Sequence, residues 1–195
     1  DCILVTGSNV TETHSVTATY IKNAVRKGAK LIVVDPRKID LVKYAHIWVR
    51  QNPGSDVAWI NGIMNVILEE GLHDTSFITE RTEGFEAMAE TLKQYTPEKV
   101  EAISNIPAAK IREIARTYAL ADASSIVYAM GITQHTTGTD NVLSLANLAM
   151  VAGQIGRPST GVNPLRGQNN VQGAGDMAAL PNIFPGYQKV TDPES

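Results

Sequence analysis

Short, uninterrupted apolar runs that end in polar turns most constrain what this chain can become. CILVTG at 2–7 and AKLIVVDPR at 29–37 show no polar alternation. A strand with water on one face alternates; a strand covered on both faces does not, and covering both faces is the habit of parallel sheets. AHIWVRQNPGSD at 45–56 holds a third, shorter strand with a turn, and SSIVYAMG at 124–131 reads as a fourth. Helical periods fill the intervals. One runs from about His14 to Lys27 and closes at Gly28. SDVAWINGIMNVILEEG at 55–71 has Ser55 or Asp56 to cap it and Gly71 to stop it. Short helices fit DTSFITERTEG and FEAMAETLKQY, another starts at Thr96-Pro97, and Pro107 leads PAAKIREIARTYALAD. TDNVLSLANLAMVAGQIG at 139–156 is a largely apolar helix. This order predicts an α/β fold with a mostly parallel sheet and right-handed crossovers.

The last stretch is different in kind. NPLRGQNNVQGAGDM at 163–177 carries only Arg166 and Asp176 as charges, and the rest is mostly amides and glycines. It shows neither helix nor strand period and reads as loop. Amides offer donors and acceptors without charge, and glycine admits close backbone approach. Such a loop suits a large polar ligand, with Arg166 available to an anion; a glycine-rich linker at a domain edge is the competing reading. Charge is sparse more widely: from Ala123 to Lys189 only Asp140, Arg157, Arg166, Asp176 and Lys189 are charged. A surface so poor in charge is usually covered by ligand or protein.

The totals exclude several classes. A net charge of −3 offers no attraction to nucleic acid or an anionic membrane. No apolar run approaches a membrane span. Cys2 is the only cysteine, so no disulfide, cysteine-held cluster or cysteine-rich zinc site can form within the chain. No two of His14, His46, His73 and His135 have metal-ligand spacing, and no protein-only metal site is expected. The chain opens directly on a strand-like segment, as an internal piece of a longer protein would.

In an open parallel sheet, ligands bind beyond the carboxyl ends of the strands. Each expected strand end here is polar. Gly7-Ser8-Asn9 and then Thr11-Glu12 follow the first, in a setting that favours phosphate. Asp35-Pro36-Arg37 closes the second: the acid can accept from ribose hydroxyls or a guanine-type N–H edge, and the arginine can take a phosphate in two-point contact. Gln51 to Asp56 follows the third, where Asp56 suits either a helix cap or a nucleobase. Met130-Gly131 and Gln134-His135 follow the fourth, and His135 is the one histidine placed for chemistry. Any one of these could be ordinary cap-and-turn chemistry; together on one edge they point to a nucleotide-bearing cofactor. Neither GxGxxG nor GxxxxGK[ST] is present.

Taken in order, GSNVTETH, VVDPR, PGSDVAWINGI, MGITQHTTGTDNV, GVNPLRGQNNVQGAGDM and ALPNIFPGYQ resemble the catalytic (alpha) subunit of molybdenum- or tungsten-dependent formate dehydrogenases, within the bis-pterin molybdoenzyme superfamily. The resemblance spans essentially the whole chain. VVDPR and PGSD are widespread in the superfamily; the Arg166 loop followed by LPN and PGYQ is specific to the formate branch. It implies a three-layer α/β/α, Rossmann-like lobe over 1–162 and a loop-rich extension over 163–195 leading to the next lobe. It implies bis(molybdopterin guanine dinucleotide) with molybdenum or tungsten. A [4Fe–4S] cluster and the cysteine or selenocysteine metal ligand would lie outside these residues, so the 195 residues alone are expected to be inactive. Carried over residue by residue, Asn9, Glu12, Asp35, Arg37, Gly54, Ser55, Asp56, Met130, Gly131, Gln134 and Gln168 become a cofactor cradle, with Asp56 reading the guanine. Arg166 becomes the residue that orients formate, with His135 as the second catalytic candidate. Relatives often carry cysteine where this chain has Gly175. The implied partners are formate, the other lobes of the subunit and electron-transfer subunits with Fe–S clusters. The implied setting is the cytoplasm, with the periplasm as alternative. Two other readings compete: a nitrate reductase-like relative, and a scaffold subunit that kept the fold without the metal.

Overall fold

The computed structural model describes residues 1–168, 170–184 and 186–193. It divides into two compact units, Asp1–Leu165 and Arg166–Ser195. The first is built on five strands: β1 (Cys2–Thr6), β2 (Lys30–Val34), β3 (Ile47–Val49), β4 (Ser124–Tyr128) and β5 (Gly161–Pro164). Their order across the sheet is β3-β2-β1-β4-β5, and every pairing is parallel. Cys2 lies level with Lys30 and Ser124, and Thr6 level with Val34 and Tyr128. The three central strands therefore end together, and the residues after them share one edge.

Helices cover both faces. Between β1 and β2 lie α1 (Val10–Thr13) and α2 (Ser15–Arg26), and a 3-10 turn at Asp40–Tyr44 precedes β3. Between β3 and β4 run α3 (Asp56–Glu69), α4 (Thr75–Arg81), α5 (Phe85–Leu92), α6 (Pro97–Ser104) and α7 (Ala108–Ala119). After β4 come α8 (Met130–Thr133) and α9 (Gly138–Val151). Successive strand residues point to opposite faces, and the core splits accordingly. Leu4, Ile32 and Ile126 join Trp59, Ile63, Ile114, Leu145 and Leu148 on one side. Val5, Leu31, Val33 and Val127 join Val10, Ala18, Ile21 and Leu41 on the other. Two buried faces are the reason the strands carry no polar alternation. The expected three-layer α/β/α architecture with a parallel sheet is what forms.

Several local expectations need correction. The sheet has a fifth strand, β5, which pairs with β4 as far as Tyr128 beside Pro164, so Asn163 and Pro164 are not loop. Proline lacks the N–H a central strand must donate and is tolerated on an edge such as this. β4 stops at Tyr128, and Met130-Gly131 begin a helical turn instead of ending a strand. α9 ends at Val151, short of 156, because Gly153 and Gly156 take left-handed φ of 63° and 77°. α1 is a separate short helix ahead of His14. Pro107 caps α7 from outside and is not its first turn.

The second unit holds α10 (Val171–Asp176) and an antiparallel pair, β6 (Ile183–Phe184) with β7 (Gln188–Lys189). The expected loop at 163–177 thus contains a helix of one and a half turns. None of its residues is buried, so no apolar stripe advertised it. Among the described residues no helix is long and apolar enough to cross a membrane.

Candidate functional site

The connections leaving β1 and β4, neighbours at the middle of the sheet, pass to opposite faces: α1 and α2 pack on one side, α9 on the other. Diverging connections open a crevice at the strands' carboxyl ends. A cleft of about 230 Å³ lies there.

Its floor is a crossing of two loops. Gly131 N–H donates to the Gly7 carbonyl at 3.0 Å. Gly7 has φ +57°, and a Cβ there would stand 2.7 Å from backbone atoms of both Gly131 and Ile132. A Cβ on Gly131 would stand 2.6 Å from the Gly7 Cα. Gly7 does permit close backbone approach, as its sequence setting suggested, but the backbone that approaches is the β4 loop. Asn9, on the cleft wall, accepts from the Thr11 hydroxyl at 3.1 Å.

The second wall is Asp35-Pro36-Arg37. The Arg37 N–H donates to Asp35 Oδ1 at 2.8 Å. Trp48 Nε1 donates to the Asp35 carbonyl at 3.2 Å, and Arg50 Nε to the Pro36 carbonyl at 3.0 Å, so β3 straps this turn in place. Asp35 is buried, and burial pushes its carboxyl above the usual carboxylate range, partly offset by the Arg37 N–H and the Arg37 charge. The Arg37 side chain itself is exposed.

The third wall follows β3. Asn52 is fastened to the end of α6 through Ser104 O at 2.7 Å and Ile103 O at 3.0 Å. Gly54 makes the turn with φ +83°. Ser55 and Asp56 were expected to cap α3, and neither side chain does. The Ser55 hydroxyl donates to the Asn52 carbonyl at 2.6 Å. Asp56 is 2% exposed, accepts from Trp59 Nε1 at 3.1 Å through Oδ1, and lies 3.9 Å from His135 Nε2 through Oδ2. A carboxylate so far from water needs partners, and one of its oxygens faces the cleft side of the molecule, where His135 sits. His135 is held by its own loop: Nε2 lies 2.9 Å from the Gly131 carbonyl, which requires Nε2 to carry the proton.

The structure therefore brings Asn9, Asp35, Arg37, Asp56, Gly131 and His135 to one cleft. Glu12 lies exposed on α1 outside the lining, and Gly54 and Ser55 shape the turn without lining it. Met130 and Gln134 stand just beyond the cleft, Gln134 Nε2 donating to Met130 Sδ at 3.6 Å. Arg166 and Gln168 belong to the second unit. There Arg166 Nη2 donates to Gln172 Oε1 at 2.6 Å, and Gln172 Nε2 to Asp176 Oδ1 at 3.1 Å, so the guanidinium reaches Asp176 through an amide. Ser8 and Gln51 also line the cleft. The strand-end pattern located both, but only the fold reveals that they are buried, with Ser8 Oγ and Gln51 Oε1 lacking partners among the described residues.

The whole chain matches the family described as Molybdopterin oxidoreductase, over residues 1–194. It is 54% identical over 192 residues to the F420-dependent formate dehydrogenase subunit alpha of Methanocaldococcus jannaschii, covering 98% of this chain and 28% of that protein. It is 48% identical over 193 residues to formate dehydrogenase H of Escherichia coli, covering 99% of this chain and 27% of that protein. Among solved structures, acetylene hydratase from Pelobacter acetylenicus matches with a TM-score of 0.77 at 30% identity, over 81% of this chain and 22% of that one. The chain thus spans about 28% of the length of the Methanocaldococcus jannaschii protein and 27% of the Escherichia coli one. On this similarity and this fold, the chain belongs to the molybdopterin oxidoreductase family.

Proposed function

We propose that this chain is part of the catalytic subunit of a formate dehydrogenase, and that it holds a molybdopterin guanine dinucleotide and orients formate. The observation that carries the reading is a cleft with two buried carboxylates and an arginine at the sheet's switch point, in a chain 48–54% identical to proteins named formate dehydrogenase. Identity to the acetylene hydratase is lower, at 30%.

The donor set fits the nucleotide end of such a cofactor. Asp56 can accept from the N–H edge of a guanine, Asp35 from ribose hydroxyls, and the exposed Arg37 can meet a phosphate. Buried polar atoms without partners lining the same cleft are what a polar ligand would satisfy. In this reading residues 1–162 form the nucleotide-binding lobe, with Asn9 and Glu12 at its first loop and Gly54 and Ser55 as its base turn. Met130, Gly131 and Gln134 are this lobe's pterin-side residues, and the extension over 163–195 contributes Gln168 and Arg166. The [4Fe–4S] cluster, the metal ligand and the electron-transfer partners belong to the rest of the protein.

When bound, the molybdenum or tungsten pterin centre supplies a two-electron acceptor for formate leaving as CO₂. The chain's own residues orient and protect. The Arg166 guanidinium offers parallel N–H groups to a carboxylate. The Gln172–Asp176 relay, with Tyr187 Oη donating to Asp176 at 3.4 Å, holds one nitrogen of that fork. His135 holds a proton at Nε2 between the Gly131 carbonyl and Asp56.

The test is Arg166→Lys in the intact subunit. Lysine keeps the charge but loses the fork, so kcat/KM for formate should fall at least ~10-fold with metal and pterin content unchanged, since one charge-assisted hydrogen bond contributes ~1.5–3 kcal/mol. Near-normal turnover with a full cofactor complement would defeat the substrate role.

A further inference from the structure

Gln51 is an unexplained residue in the cleft wall. It stands two residues beyond the end of β3, is 7% exposed, and its Oε1 has no hydrogen-bond partner among the described residues. A buried amide oxygen without a partner is costly, and native chains keep few of them; turning the amide over sets its N–H donors at that same position. Its surroundings are well satisfied: Asp35 N donates to Val49 O at 3.2 Å, Asn52 is tied to α6, and Asp56 is tied to Trp59. A residue kept only for packing could be an apolar one of the same length.

We propose that Gln51 is a specificity-determining residue that donates a hydrogen bond to the acceptor on the edge of the base whose N–H groups Asp56 receives. This rests on the reading that the cleft takes a guanine nucleotide. The chemistry is complementary. Asp56 only accepts when ionised, whereas a carboxamide donates from one end and accepts from the other, and rotation about its last bond presents either. Both side chains line the same cleft from the two ends of one turn, before and at the start of α3. A guanine edge sets N–H donors beside the O6 acceptor, so it needs an acceptor and a donor side by side. Adenine places an amino group where guanine has O6, and a donor there has nothing to meet. Ser8, 4% exposed with an unpartnered Oγ on the facing loop, is placed to complete the same polar ring.

The experiment titrates the intact subunit, freed of cofactor, and its Gln51→Met variant with GDP and with ADP, and records the melting temperature of each free protein. Methionine keeps the length and removes the polar end. The wild-type chain should prefer GDP, and Gln51→Met should cut that preference about tenfold, the equivalent of one hydrogen bond. The free variant should melt about 2–4 °C higher, because an unpartnered buried group has been removed. A variant that melts lower and keeps its preference for GDP makes Gln51 a packing residue and overturns the proposal. Equal weakening toward GDP and ADP overturns it as well. A wild-type chain that binds GDP no better than ADP, or neither, sinks the nucleotide reading of the cleft itself and takes this inference with it.

Discussion

Replacing Gly7 with alanine tests the crossing that floors the cleft. Two costs add. At φ +57° a non-glycine residue is strained by about 1–2 kcal/mol. The new Cβ would also stand 2.7 Å from the Gly131 carbonyl carbon and the Ile132 nitrogen. These are backbone atoms, and the Ile132 side chain is fully buried, so the far loop has little room to retreat. Overpacking of this kind costs about 1–3 kcal/mol. A total of about 2–5 kcal/mol is a large share of the about 5–15 kcal/mol that holds a domain together. At about 2–4 °C per kcal/mol, the melting temperature should drop by roughly 4–20 °C. The control is Gly54→Ala: φ is +83°, but a Cβ there meets nothing within 4 Å, so only the strain remains. Gly131→Ala carries the clash without the strain and should cost less than Gly7→Ala, and the double variant should cost less than the sum, since both insert into one contact. Thermal unfolding followed by circular dichroism reads all four. If Gly7→Ala melts no lower than Gly54→Ala, the loops do not meet as described.

In the intact subunit, Asp56→Ala should lower cofactor content severalfold while activity per bound metal changes much less; normal loading with collapsed activity per metal would assign Asp56 to the reaction instead. Burial raises the Asp35 carboxyl above its ordinary value of 3.8. The folded chain then holds that proton more tightly, so this residue's contribution is fully present below the ordinary value and is lost as pH rises through the raised one. Unfolding free energy measured against pH should show wild type losing ground to Asp35→Asn across that window. Glu70, held below the usual range by its hydrogen bond from Arg116, titrates identically in both proteins and cancels. A difference that is flat, or that runs the other way, refutes the burial argument.

What could be read from the residues alone was governed by locality. β1 and β2 are legible because burial on both faces writes itself into consecutive apolar residues. β5 is not, because an edge strand reading Gly161-Val162-Asn163-Pro164 has neither the run nor the alternation. α10 is hidden for a similar reason: it packs no apolar face, and Gly173 and Gly175 are poor helix formers. At the site, Asp35, Arg37 and Asp56 stand out because charge at the end of an apolar run is rare and purposeful. Gln51 and Ser8 do not, since a polar residue in a turn is ordinary until the fold buries it. That Trp48 and Trp59, the two tryptophans of the chain, hold the two cleft acids is equally tertiary. The Gly7–Gly131 contact joins residues far apart in sequence, and no local pattern announces it.

Whether this chain helps hold a metal-bearing guanine dinucleotide for formate oxidation is decided by isolating the intact subunit without oxygen and assaying one preparation for metal, released nucleotide and formate-dependent dye reduction. Molybdenum or tungsten should be found together with a guanine nucleotide, and dye reduction should scale with the metal. Protein that carries the metal and guanine but leaves formate untouched would contradict the formate assignment, and protein that carries neither would contradict the cofactor cleft.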